Sequence, residues 1–405
     1  MQRRRFLLLF VTELTARTGY LIGKSPVLPV LALSLGAGDA LLGLIIAVST
    51  STGVVLKPVI GFLADRFGRH RFLLIALGFL VVPGFFYPLI DSPGQLVALR
   101  LLHGVATAVL GPVILGLLVA ATDQARRAET FGWFGLARQA GNVAGPVLGG
   151  LLLVILSPAN VYLVVALFGG LAIIPALLLG RLDAAGPAAP RRAVPVRSFR
   201  AGAMGLLAKP AILTAGLFEM SATMSLYFYK AFLPVLALRA GVPMLEVGLY
   251  LAAQELVNAA LKPAAGRIAD RIGHRVMLAT GLFCVGLVSI AIPGMVAAGH
   301  FIPLALMLGA SQALVQPVMQ ALIAGADLHQ RSLAFGLVGA FRNAGKVLGP
   351  VVGGLVSVWQ GPAAAFLGIG LFTLLIGAGI VGASLTSLTA PRRAVAPVGR
   401  KLRSD

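Results

Sequence analysis

Apolar runs of roughly 20 residues, each enough to cross a hydrocarbon core of about 30 Å as a helix, recur along the whole of this chain. Twelve can be counted, at about 6–34, 40–60, 72–90, 94–120, 131–156, 159–180, 210–238, 243–265, 276–298, 301–325, 333–357 and 362–386, separated by short polar joints. A soluble chain of 405 residues does not have 58% hydrophobic and 11% charged residues with mean hydropathy +0.95, so the expectation is an all-α protein in a bilayer. The basic MQRRR before the first run mimics a secretory signal. Glu13, Arg17 and Lys24 interrupt that run, however, and no small-residue cleavage site follows, which marks a retained first helix.

The joints alternate in charge. Those at QRRRF, DRFGRHR, DQARRAE, the 181–209 connector, DRIGHR, DLHQR and the tail hold most of the Lys and Arg, whereas LGAGD, DSPGQ, LSPAN and AAGH hold none. The positive-inside rule then puts both termini and every basic joint in the cytoplasm, the plasma (inner) membrane being the expected location. The net charge of +20 is dealt out in small clusters at helix ends, where membrane lipid meets it, so no nucleic-acid partner is expected. The single Cys284 can form no internal disulfide.

The chain also repeats itself. KPVIGFLADRFG at 57–68 returns as KPAAGRIADRIG at 262–273, and the offset holds at other landmarks: 205 between Asp65 and Asp270, 206 between Glu13 and Glu219 and between Lys24 and Lys230, 204 between Gly145-Pro146 and Gly349-Pro350. Six crossings separate the copies, an even number, so the halves are parallel repeats related by an axis along the membrane normal. The expected divisions are bundles at 1–180 and 210–390 around a central cavity, a Pro/Arg-rich linker at 181–209 and a basic tail at 391–405.

These residues resemble the major facilitator superfamily of secondary transporters over essentially the whole chain, most of all its proton-coupled drug and metabolite antiporters. Gly61, Asp65, Arg66 and Gly68 look like that family's loop signature between helices 2 and 3, and Gly266, Asp270, Arg271 and Gly273 repeat it between helices 8 and 9. The resemblance implies cytoplasmic gate loops, with Asp65 and Asp270 set against the positive N-terminal ends of neighbouring helices. LRLLHG at 99–104 is similar to the family's helix 4 pattern of Arg then Gly, with His103 where Gln is common, and puts Arg100 in the substrate cavity. GNVAGPVLGG at 141–150 fits the helix 5 pattern of proton-driven exporters, and GKVLGPVVGG at 345–354 fits it again. Physically, Gly145-Pro146 and Gly349-Pro350 form a packing seam with a bend.

Ionisable groups at bilayer depth are costly and mark function. Of thirteen acids, Glu13, Glu219 and Glu255 fall well inside the apolar segments. On a helix Glu13, Arg17 and Lys24 lie at about 0°, 40° and 20°, one narrow face, and Glu219 and Lys230 repeat the eleven-residue spacing. Glu13, Glu219 and Glu255 are the proton-coupling candidates, because a carboxylate in a partly dehydrated cavity takes up a proton that an approaching cation drives off again. Arg17, Lys24, Lys230, Arg100, Gln312 and Gln316 are the substrate-cavity candidates. Arg138, Arg342 and Lys346 complete the intramembrane set, with either a structural or a substrate role. Thr50 stands where Glu255 would align in the first half.

The function expected is proton-coupled export of a small amphiphilic solute by alternating access, by a monomer with no cofactor and no metal. An organic-anion or phosphate-ester exchanger, a lipid flippase, sodium coupling and a non-transporting receptor stay open. An intramembrane enzyme is disfavoured because the five His residues are scattered and show neither a metal cluster nor a nucleophile with its base.

Overall fold

A computed structural model describes residues 2–122, 126–183, 204–205, 207, 210–324 and 331–389. Most of the expected 181–209 linker and all of the 391–405 tail lie outside them. Every regular element among the described residues is a helix. The first crossing is α1 (Gln2–Lys24) followed by α2 (Val27–Ser34), broken at Pro26, whose nitrogen has no proton to give to the helix ladder. Next come α3 (Asp39–Phe67) and α4 (Arg69–Val81), which passes into 3₁₀ turns at Val82–Phe85 and Tyr87–Leu89 where Pro83 and Pro88 stand. The half closes with α5 (Pro93–Ala120), α6 (Arg127–Ile155) and α7 (Val161–Asp183). The second half holds α8 (Pro210–Arg239), α9 (Met244–Ile272), α10 (His274–Ala297), α11 (Ile302–Ala324) and α12 (Arg331–Thr389). The last element contains two crossings, bent at Gly361, whose φ of 82° is open only to a residue without Cβ strain.

Eight stretches among the described residues are long and apolar enough to cross a membrane. Helices α6 and α9 fall short of that criterion for a reason that bears on function: at mid-length they carry Arg138, Gln139 and Asn142, and Gln254, Glu255, Asn258 and Lys262. Large apolar side chains such as Phe62, Leu167, Ile174 and Leu375 are more than half exposed, as a lipid-facing surface requires.

Within the first half α1 packs on α6 and α7, and α3 and α4 pack on α5; within the second, α8 packs on α12 and α11 on α9 and α10. Across the halves, the extensive seams are α6 with α9 and α3 with α12. The two Gly-Pro motifs build both. Gly145 and Gly349 lie against the first helix of their own half, at Leu21 and at Met224. Further along, the carbonyls of Pro146 and Pro350 meet Gly248 and Gly43 of the opposite half, and Gly150 and Gly354 lie against the backbones of Met244 and Asp39. No side chain fits between helices at such a distance, so small residues set the crossing. Gly68 and Gly273, at φ 102° and 97°, end α3 and α9 and turn the chain into α4 and α10, which explains the final glycine of each Asp-Arg loop.

Candidate functional site

A cavity of about 780 Å³ lies between the halves, lined from α1, α3, α5 and α6 on one side and α8 to α12 on the other. It contains the three intramembrane carboxylates, and each is engaged by a cation from a different helix. Arg138 Nε donates to Glu13 Oε1 at 2.8 Å, with Arg17 Nη1 at 3.8 Å and Arg17 Nε on Asn142 Oδ1 at 3.1 Å. Arg342 Nε donates to Glu219 Oε1, the pseudo-symmetric copy of the Glu13–Arg138 bond. Lys230 Nζ donates to Glu255 Oε1 at 2.7 Å, and Gln139 Nε2 donates across the halves to the Glu255 carbonyl at 2.8 Å. The carboxylates are almost fully buried (side chains 7% exposed for Glu13 and Glu219, 11% for Glu255), while their cations remain 26–41% exposed toward the cavity. Buried charge of this kind persists only when paired.

The third pair breaks the symmetry. Lys24 sits at the same place in α1 as Lys230 in α8, but α3 offers Thr50 in the position of Glu255, and Lys24 has no carboxylate partner among the described residues. Its Nζ lies instead 5.5 Å from the Tyr20 ring centre and 5.1 Å from that of Tyr227, whose other neighbour is Lys346 Nζ at 5.5 Å. Lys24 is the last residue of α1, where the helix dipole favours a cation.

The halves meet on one side of the cavity, toward the end of the bundle away from the Asp-Arg loops. Arg239 Nη2 donates to Asp39 Oδ1 at 2.7 Å, Ser25 Oγ to the Lys230 carbonyl at 3.2 Å, and the glycine seams at Gly43, Gly150, Gly248 and Gly354 lie at the same end. The cavity is therefore closed at that end in this conformation.

The cavity brings together Glu13, Glu219, Glu255, Arg17, Lys24, Lys230 and Gln312, the last accepting from Gln254 Nε2 at 3.0 Å. It does not include Arg100, contrary to the expectation. That side chain is fully buried behind the cavity wall, its Nη2 on Ser49 Oγ at 2.6 Å, because α5 turns this end into its packing against α3 and lines the cavity only from Thr107 to Leu115. His103 likewise serves packing: its Nδ1 is hydrogen-bonded to Tyr87 Oη at 2.9 Å. The side chains of Asp65, Asp270 and Gln316 lie outside the described residues, so the placement of the two aspartates against helix N-termini does too. Arg66 and Arg271 are exposed at the loops. The role of Arg138 and Arg342 as the partners of Glu13 and Glu219 was missed, although a signal existed: each Arg sits in the Gly-Pro helix of its own half at the repeat offset, 204 residues apart.

The profile described as Major Facilitator Superfamily matches residues 21–236 and, in a second stretch, 215–404. The chain belongs to the Major Facilitator Superfamily. Among this facilitator's relatives is the quinolone resistance protein NorA of Staphylococcus aureus, 28% identical over 127 residues, which are 31% of this chain and 33% of NorA, so the match spans about a third of that relative's length. The class B tetracycline resistance protein of Escherichia coli is 25% identical over 358 residues, 83% of this chain and 86% of its own. Among solved structures, a bacterial homolog of the human lysosomal transporter Spinster, inward-facing and unoccupied, superposes with TM-score 0.75 at 16% identity over 95% of this chain and 98% of its own. The nucleoside transporter NupG gives TM-score 0.76 at 14% identity over 93% and 98%. At such identities the structures speak for the fold: an all-α membrane protein with the twelve-helix facilitator architecture. The facilitator is accordingly an integral membrane protein of a family of transporters rather than enzymes.

Proposed function

We propose that this facilitator exports small amphiphilic solutes in exchange for protons, by alternating access, and that Glu13, Glu219 and Glu255 carry the coupling. The observation that supports it most is that each of the three buried carboxylates is held by a cation reaching from another helix. A proton on a carboxylate cancels the charge its cation was paired with, and the cation is then free to turn to a solute or to another acid; the return of the cation expels the proton. Since the paired groups sit on different helices, the two protonation states favour different helix arrangements, which is the differential interaction that a conformational cycle needs. Export accords with the resistance proteins among the relatives and with the two Gly-Pro motifs. By the positive-inside rule the basic Asp-Arg loop end faces the cytoplasm, so the closed end faces outward and the cavity awaits solute from inside.

The test uses the purified full chain in liposomes with a trapped pH dye, challenged with anionic, cationic and zwitterionic amphiphiles. Proton movement opposite to an added solute is the expected result. Solute exchange without any proton movement would remove the glutamates from the mechanism.

A further inference from the structure

The charges lining the cavity do not balance. Among the described residues it holds eight cations, Arg17, Lys24, Lys57, Arg138, Lys230, Lys262, Arg342 and Lys346, against three carboxylates. All three carboxylates are already taken, by Arg138 with Arg17, by Arg342, and by Lys230. Lys262 lies within electrostatic reach of Glu255. The remaining three ammonium groups, Lys24, Lys57 and Lys346, make no hydrogen bond or ion pair with another described residue, yet they come together from three helices of both halves. Lys24 and Lys346 Nζ flank the Tyr227 ring at 5.1 and 5.5 Å, and Lys57 is within electrostatic reach of both and of Tyr227 and Tyr20. Mutually repelling cations gathered in a half-buried space are unfavourable unless something negative joins them. The repeat shows that the imbalance is a property of this site: where Lys230 has Glu255, Lys24 has Thr50.

We propose that Lys24, Lys57 and Lys346, set around Tyr227, form a head-group subsite that takes the anionic group, a carboxylate or a phosphate, of an amphiphilic solute. Three ammonium groups on flexible stems suit a compact anion approached from several sides. The apolar body of the solute has Leu21, Ile46, Leu110 and Leu226 to lie against, and the cavity volume is within the range of small-molecule sites. The subsite rests on the transporter reading but not on proton coupling. Lys230 takes no part in the subsite, because its ammonium is occupied by Glu255.

The test is equilibrium binding to the full chain in nanodiscs of neutral phosphatidylcholine, with no gradient, using four probes on one aromatic body: 1-naphthoate, 1-naphthyl phosphate, 1-naphthylmethanol and 1-naphthylmethylammonium, followed by naphthalene fluorescence. Both anions are expected to bind about tenfold or more tightly than the ammonium probe, and whichever anion binds better names the group. Lys24→Gln and Lys346→Gln each weaken the anions about tenfold and leave the alcohol unchanged, while Lys24→Arg restores the preference. Thr50→Glu, which gives Lys24 the counterion that Lys230 has, weakens the anions without removing any lysine. Ammonium binding equal to or tighter than naphthoate binding in the parent overturns the subsite, as does full anion affinity in Lys24→Gln and Lys346→Gln. Proton flux driven only by cationic solutes would leave the coupling proposal standing and sink this one, and anion binding with no proton flux would do the reverse.

Discussion

Gly150→Ala is expected to open the closed end of the facilitator. A Cβ on Gly150 would stand 2.5 Å from the Met244 carbonyl oxygen and 2.9 Å from Leu245 Cα, both backbone atoms of α9 that no rotamer change can clear. Ordinary carbon contacts lie at about 3.5–4.0 Å, so α6 and α9 must separate by about 1 Å, an overpacking cost of about 1–3 kcal/mol. In the alternating-access cycle proposed above the halves separate here in the alternate conformation, and there the methyl costs nothing. The gain in helix propensity of Ala over Gly, about 1 kcal/mol, is common to both conformations and cancels. The equilibrium therefore moves toward the form open at this end by about 5- to 150-fold. Spin labels on Asp91→Cys and His300→Cys, both at that end, in a Cys284→Ser background would report it through their distance distribution. A longer-distance population should grow at the expense of the parent's. An unchanged distribution in a folded variant would refute the assignment of the α6–α9 seam as the closure.

Gly354→Ala makes the same clash with Asp39 in the other seam and should add to Gly150→Ala nearly independently in the same distance measurement, the two contacts sharing no residues. Asp39→Asn removes the carboxylate charge from the cross-half bond to Arg239, but that arginine is 47% exposed, so the shift should be at most about 1 kcal/mol and should shrink in high salt. Glu219→Gln should retain expression while losing solute-driven proton flux, and Arg342→Gln, which leaves Glu219 buried without its cation, should lower thermal stability by about 1–3 kcal/mol, less than for a fully buried pair because Arg342 is 41% exposed. Gly68→Ala forces φ of 102° on a residue with a Cβ and should cost about 1–2 kcal/mol in thermal unfolding, with no gain from removing a contact since nothing stands near that site.

The architecture was legible because its causes are periodic. Apolar length marks a crossing wherever a helix faces lipid, and it faded at α6 and α9, whose polar residues line the cavity, while in α11 the apolar stretch among the described residues is the shorter Ile302–Val315. The constant offset carried the pseudo-symmetry down to single contacts: Glu13–Arg138 recurs as Glu219–Arg342, and Gly43 and Gly150 recur as Gly248 and Gly354. Pairing was less legible. Helical projection puts Glu13, Arg17 and Lys24 on one face of α1, but which neighbouring helix that face meets depends on packing, so Arg138 came as the partner of Glu13 at 2.8 Å ahead of Arg17 at 3.8 Å. Arg100 misled for a related reason. A motif gives its position along α5, not the direction in which it points, and here the side chain turns to Ser49. The lone Lys24, by contrast, could be seen in the mismatch of Thr50 with Glu255.

The central claim is that solute movement is tied to protons through the paired carboxylates, and a null-point measurement tests it most directly. Proteoliposomes holding a transported solute at a fixed ratio across the membrane are placed in a series of opposed pH gradients, and the gradient at which net solute flux stops is recorded. The account predicts a definite null pH difference that scales with the logarithm of the solute ratio, and its loss in Glu13→Gln, Glu219→Gln or Glu255→Gln. Solute flux that stops only when the solute concentrations are equal, whatever the pH difference, would contradict it.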